Sequence, residues 1–153
     1  MGTVIEDAAK ASAWIATALS SSGYIADFTA ASLWQIDRFF DEQTQAGTAK
    51  PGGLLSQDLG SRLFAIGAYI GEVIRRERGG EWVADDNDPQ AEINIALRLT
   101  DGAICWPVQR TVKRFKNGPE DGIAAYGVGM GLEVGPQLVR AERRPWWRFV
   151  SLR

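Results

Sequence analysis

The densest run of polar chemistry in this chain lies between Trp106 and Asp121, W-P-x-x-R-x-x-K-R-F-K-N-G-P-E-D. Arg110, Lys113, Arg114 and Lys116 recur there at near-helical spacing, with Glu120 and Asp121 close behind. Guanidinium and ammonium groups so placed can grip a phosphate or an acidic partner, and the two acids can orient the arginines. The competing assignment is a solvated helix face, because charge runs are usually surface. A second candidate is the C-terminal stretch, which couples Arg140, Arg143, Arg144 and Arg148 with Trp146, Trp147 and Phe149. Arginine beside aromatics suits stacking on single-stranded nucleic acid and equally suits a protein-interface hot spot. A last strand with its tryptophans on the sheet and its arginines in water explains the same residues.

Catalytic constellations are harder to find. The chain has no histidine, which removes the commonest general base near neutral pH and the commonest transition-metal ligand. Cys105 is the single cysteine; with no histidine to lower its pKa, it reads as a small buried apolar residue rather than a nucleophile. Asp85, Asp86, Asp88 and Glu92 could offer oxygen ligands to Ca²⁺ or Mg²⁺, but the spacing lacks the alternation and central glycine of an EF-hand. Asx residues before Pro89 are what a turn requires, and a turn is the preferred assignment. Gly127-Val128-Gly129-Met130-Gly131 has the look of a phosphate-cradling loop but does not lie between a parallel strand and a helix. No cofactor or metal is expected. A carboxylate enzyme with Glu72 or Glu92 as base stays open as an alternative, and it needs an acid with a raised pKa.

These groups must be positioned by the elements around them, and Leu59 to Trp82 is the stretch around which the rest is organised. Leu59, Leu63, Ile66, Ile70 and Val73 form one apolar helical stripe. Gly60, Gly67 and Gly71 leave another face almost bare. Glycine inside a helix costs about 1 kcal/mol relative to alanine, so a neighbouring backbone is expected close to that face. Glu72 can pair with Arg75 and Arg76, and Gly79-Gly80 stop the helix.

Before it, Thr3 and Glu6 form a capping box that starts a helix at Val4. A second helix begins near Thr29 or Ser32, with Leu33, Ile36 and Phe40 on its core face and Trp34 and Phe39 alongside. Thr44 to Gly53 reads as a loop. After it come a short strand at Glu81–Ala84, a turn, an alternating strand from Glu92 to Thr100, an Asp101-Gly102 hairpin turn and a partner strand from Ala103 to Trp106. Pro107 opens a helix with Val108, Val112 and Phe115 on one face. Asn117-Gly118 ends it, and Pro119-Glu120-Asp121 starts another with its acids at the positive end of the dipole. The fold class is α+β: N-terminal helices packed on a small antiparallel sheet of about three strands, followed by further short helices. A single domain over residues 1–153 is expected, with residues 140–153 an arm or an added edge strand.

Two stretches, GAYIGEVIRRERGGEW (Gly67–Trp82) and DGAICWPVQRTVKRFKNGPEDGIAAYG (Asp101–Gly127), together resemble a small family of uncharacterised bacterial proteins. The resemblance covers roughly Leu33 to Tyr126. It implies a compact bacterial domain and carries no activity or site residue.

The 153 residues have a net charge of −2, 45% hydrophobic and 24% charged side chains, ordinary for a soluble globular chain. The charge is uneven. Residues 1–60 hold three basic side chains against seven acidic, whereas the last eighteen residues hold five arginines and one glutamate. No apolar run approaches the ~20 residues of a membrane span, and the acidic N-terminus does not resemble a signal peptide, so a cytoplasmic location without membrane contact is expected. The leading functional expectation is a non-catalytic protein-binding domain, such as a toxin-neutralising immunity protein or a regulatory partner, with homo-oligomers allowed. Its candidate surface comprises Arg110, Lys113, Arg114, Arg143, Arg144, Trp146, Trp147 and Arg148. The alternatives are nucleic-acid binding through the C-terminal arginines and tryptophans and, second, the carboxylate enzyme.

Overall fold

A computed structural model describes residues 3–137. It has six helices and two small antiparallel sheets among them, an α+β architecture. The central element is α3 (Leu59–Arg78), on which every residue from Leu63 to Ile74 is buried. One face meets α1 (Val4–Ser21) and another meets α5 (Pro107–Asn117). The expected apolar stripe therefore exists, but the helix is enclosed on more sides than one stripe implies.

The bare glycine face explains how α5 comes so close. A Cβ added at Gly67 would lie 2.7 Å from Val108 Cα, and one at Gly71 would strike the Trp82 ring. Gly60 is different: it faces open space and sets no close approach.

The N-terminal cap behaves as its sequence dictates, with Thr3 Oγ1 accepting the Glu6 N–H at 3.1 Å. Thr29 caps a 3₁₀ turn at Ala30–Ser32, which runs into α2 (Leu33–Gln43). Leu33, Ile36, Phe39 and Phe40 are all buried there. Strand β3 (Gly80–Val83) pairs with β4 (Ala96–Leu99), and β4 with β5 (Ile104–Cys105), in the order β3-β4-β5. The turn at Asp101-Gly102 joins the last two. Leu97 and Leu99 face the core and Arg98 faces out.

Three expectations are corrected. The strand expected from Glu92 to Thr100 is only Ala96–Leu99 long, because Ala91–Asn94 forms a helical turn, α4. Asp88 holds that turn: its carboxylate accepts the Gln90 N–H at 2.8 Å and the Asn94 side-chain amide at 2.9 Å. Ile93, which an alternating strand would turn inward with Leu97 and Leu99, is 41% exposed. Second, the loop expected from Thr44 to Gly53 contains a two-stranded hairpin, β1 (Thr44–Gln45) with β2 (Thr48–Ala49), turned at Ala46-Gly47, where both φ angles are positive. Third, the last helix does not start at Pro119. Gly118–Asp121 is a 3₁₀ turn, and α6 spans Ile123–Gly129.

Among the described residues no helix is long and apolar enough to cross a membrane. The assignment of residues 140–153 as an arm or edge strand lies outside the described residues.

Candidate docking cleft on α5

The cations of α5 divide between the interior and the surface. Val108, Thr111 and Phe115 are buried against the rest of the fold, and Arg114, three residues after Thr111, falls on the same stripe. Only 1% of Arg114 is exposed. Its Nε donates to Asp37 Oδ1 at 2.9 Å, and its Nη2 donates to the Asp37 carbonyl at 3.1 Å and to Asp41 Oδ1 at 2.7 Å. The same Asp37 carboxylate accepts the Ile123 N–H at 2.8 Å and the Ala124 N–H at 2.9 Å. Arg114 is therefore neither part of a binding surface nor on a solvated face, and both assignments made for it are corrected. It locks α5 to α2, while Asp37 supplies the anion that the first turn of α6 needs. The sequence suggests Glu120 and Asp121 for that role, but they lie in the 3₁₀ turn before α6.

Arg110 and Lys113 turn the other way. Together with Ile104, Trp106, Gln109 and Tyr126 they line an open cleft of about 220 Å³ between β5, α5 and α6. Arg110 is held in place. Its guanidinium lies 4.8 Å over the Tyr126 ring, and its Nη1 sits 3.0 Å from Asp121 Oδ1. Asp121 is fixed in turn by the Asn117 side-chain amide at 2.7 Å. Asp121 thus orients Arg110 as the sequence suggested, whereas Glu120 is exposed. Lys113 stands at the edge, exposed, with no ion pair among the described residues. Ile104 and Trp106 in the same lining are 47% and 45% exposed. Sequence reasoning missed Ile104, Trp106 and Tyr126 as members of this site. The available signal was spacing: Trp106, at the cap of α5, stands four positions before Arg110 and seven before Lys113, on one helical face.

The floor of the cleft is chemically quiet. Burial pushes the Cys105 thiol up from its ordinary pKa, and only 3% of the residue is exposed. Burial and the adjacent Cys105 push the Tyr126 hydroxyl well above its usual range. Both groups hold their protons at neutral pH, so neither presents an activated nucleophile.

The carboxylates proposed as bases do not meet the requirement either. Glu72 pairs with Arg75 as expected, through bonds of 2.6 and 2.8 Å, and also accepts the Trp82 indole N–H at 3.0 Å. Arg75 holds its carboxyl below the usual glutamate range despite burial, the opposite of what a general base needs. Glu92 is exposed on α4. The aspartates of the β3–α4 loop serve the backbone: Asp85 accepts the Asn87 N–H, and Asp86 accepts the Val4 N–H at the start of α1. Among the described residues no three histidine, cysteine or acidic side chains cluster as a metal site would require. Arg143, Arg144, Trp146, Trp147 and Arg148 lie outside the described residues.

The chain matches no protein-family profile, no curated protein and no solved structure.

Proposed function

We propose that this chain is a non-catalytic binding domain that docks a protein partner on the cleft between β5, α5 and α6. The observation that carries this reading is the pair Ile104 and Trp106, two large apolar side chains about half exposed in the lining of a cleft that also bears Arg110 over Tyr126. Tryptophan, tyrosine and arginine are the residues on which interface energy concentrates. A large apolar pair left in water beside them is what a partner would cover. Arg110 is already immobilised by Asp121, so little side-chain entropy is lost when a partner arrives.

A toxin-neutralising or regulatory role is the finer form of this proposal. It draws on the uneven charge of the chain, with seven acidic side chains against three basic ones in residues 1–60. Such an excess steers a partner whose surface outside the docked segment is basic.

The test is a paired capture. The full chain and its Ile104→Ser/Trp106→Ala variant are immobilised and challenged with extract from the source cells. A stoichiometric partner retained by the first and lost by the second is the expected result. No stoichiometric partner, or equal retention by both, overturns the proposal.

A further inference from the structure

Resting on the docking proposal above, we infer that the segment seated in this cleft is acidic: a short stretch of a protein partner that carries carboxylates beside an aliphatic or aromatic anchor. Three observations support this. Both charged side chains lining the cleft, Arg110 and Lys113, are cations, and no acid lines it among the described residues. Lys116 lies one turn beyond Lys113, also exposed and without an ion pair among the described residues. Asp121 meets Arg110 from outside the lining through a single Nη1, which leaves the remaining N–H groups of the guanidinium for a second carboxylate.

Size argues for a protein segment rather than a small molecule. Enclosed ligand pockets run from roughly 300 to 1,000 Å³, and this open cleft holds about 220 Å³. That space accommodates an anchoring side chain with its neighbours lying across the rim. The anchor would pack on Ile104 and Trp106, and a flanking carboxylate would meet Lys113. An exposed lysine at the rim contributes mainly to encounter rate and salt dependence, not to the bulk of the affinity.

The experiment titrates the full ¹⁵N-labelled chain and follows the Trp106 indole N–H. The probes are two peptides of one length with alternating leucine and phenylalanine anchors, one with glutamate and one with lysine between them, and an oligothymidylate. The acidic peptide is expected to shift the Trp106 signal and to bind at least about tenfold tighter than the basic one at low salt, with the preference shrinking as salt rises. Lys113→Glu is expected to remove or invert that preference, and Trp106→Ala, followed at the backbone amides of Gln109 and Lys113, to abolish both peptides' binding. If the basic peptide binds as well as the acidic one, or Lys113→Glu leaves the preference intact, the acidic-partner inference is overturned while apolar docking at Trp106 survives. Oligothymidylate binding in place of the acidic peptide overturns it in favour of nucleic acid. Should no probe move the Trp106 signal, the inference also fails, and the docking proposal then rests on the paired capture alone.

Discussion

Arg114 on α5 and Asp37 on α2 meet at 2.9 Å across 77 positions of sequence, inside the fold. Asp37 also holds the first N–H groups of α6, so one carboxylate joins three helices. Removing it would leave a buried guanidinium with its charge poorly matched and two helix N–H groups without an acceptor. Asp37→Ala is expected to cost about 3–5 kcal/mol in urea unfolding. Arg114→Met should cost less, because methionine refills the space and Asp37 keeps its two backbone donors. Equal costs, or the reverse order, would contradict the role given to Asp37.

The glycines of α3 make opposite predictions. A methyl group at Gly67 meets the backbone of Val108, which cannot yield cheaply, so Gly67→Ala is expected to destabilise by about 1–3 kcal/mol. Gly60→Ala meets nothing within 4 Å and should stabilise by about 0.5–1 kcal/mol through helix propensity. Thermal melts of the two variants give the signs directly.

Glu72 gives the fold a pH signature. Its carboxyl is held below the ordinary value by Arg75 and, more weakly, by Trp82, against the opposing effect of burial. A depressed acid contributes stability that is complete above its unfolded pKa, about 4.3, and that is lost as pH falls through the folded value. Urea midpoints of the wild type should therefore fall more steeply below that pH than those of Glu72→Gln. Parallel curves would show that Glu72 is not linked to folding.

Cys105 should react slowly. Its thiol is buried and its pKa raised, so alkylation by iodoacetamide at pH 8 is expected to be at least about tenfold slower in the native chain than in denaturant. Equal rates would mean that β5 opens freely and that the cleft has no fixed floor.

These features were unequally legible in the sequence. Local chemistry was plain where one residue type dictates one geometry: Thr3 with Glu6 at the start of α1, Pro107 at the start of α5, the Asp101-Gly102 turn, and the glycine face of α3 at Gly67. Where two segments compete for the same hydrogen bonds, the local pattern misled. Ile93 and Ile95 alternate like strand residues, yet the Asp88 side chain winds Ala91–Asn94 into a helical turn. The hairpin at Ala46-Gly47 was hidden because alanine stands at a positive-φ position where asparagine or aspartate is the usual marker.

The candidate site was half legible for a similar reason. Arg110, Lys113 and Arg114 lie within about 1.5 turns of one helix, and nothing local separates them. Which cation meets an acid inside and which stays at the cleft depends on where α2 and α6 dock. Arg114 shares the stripe of Thr111 and Phe115, and that spacing was the available clue to its burial. Its acceptors, Asp37 and Asp41, were one turn apart on α2, flanking the core residue Phe40.

The most direct check of the docking account is amide hydrogen exchange on the full chain, alone and bound to the partner it captures. Slowed exchange concentrated between Ile104 and Lys113 and around Tyr126 is the predicted footprint. Protection confined to other elements, with the amides of β5 and the first turns of α5 unchanged, would contradict it.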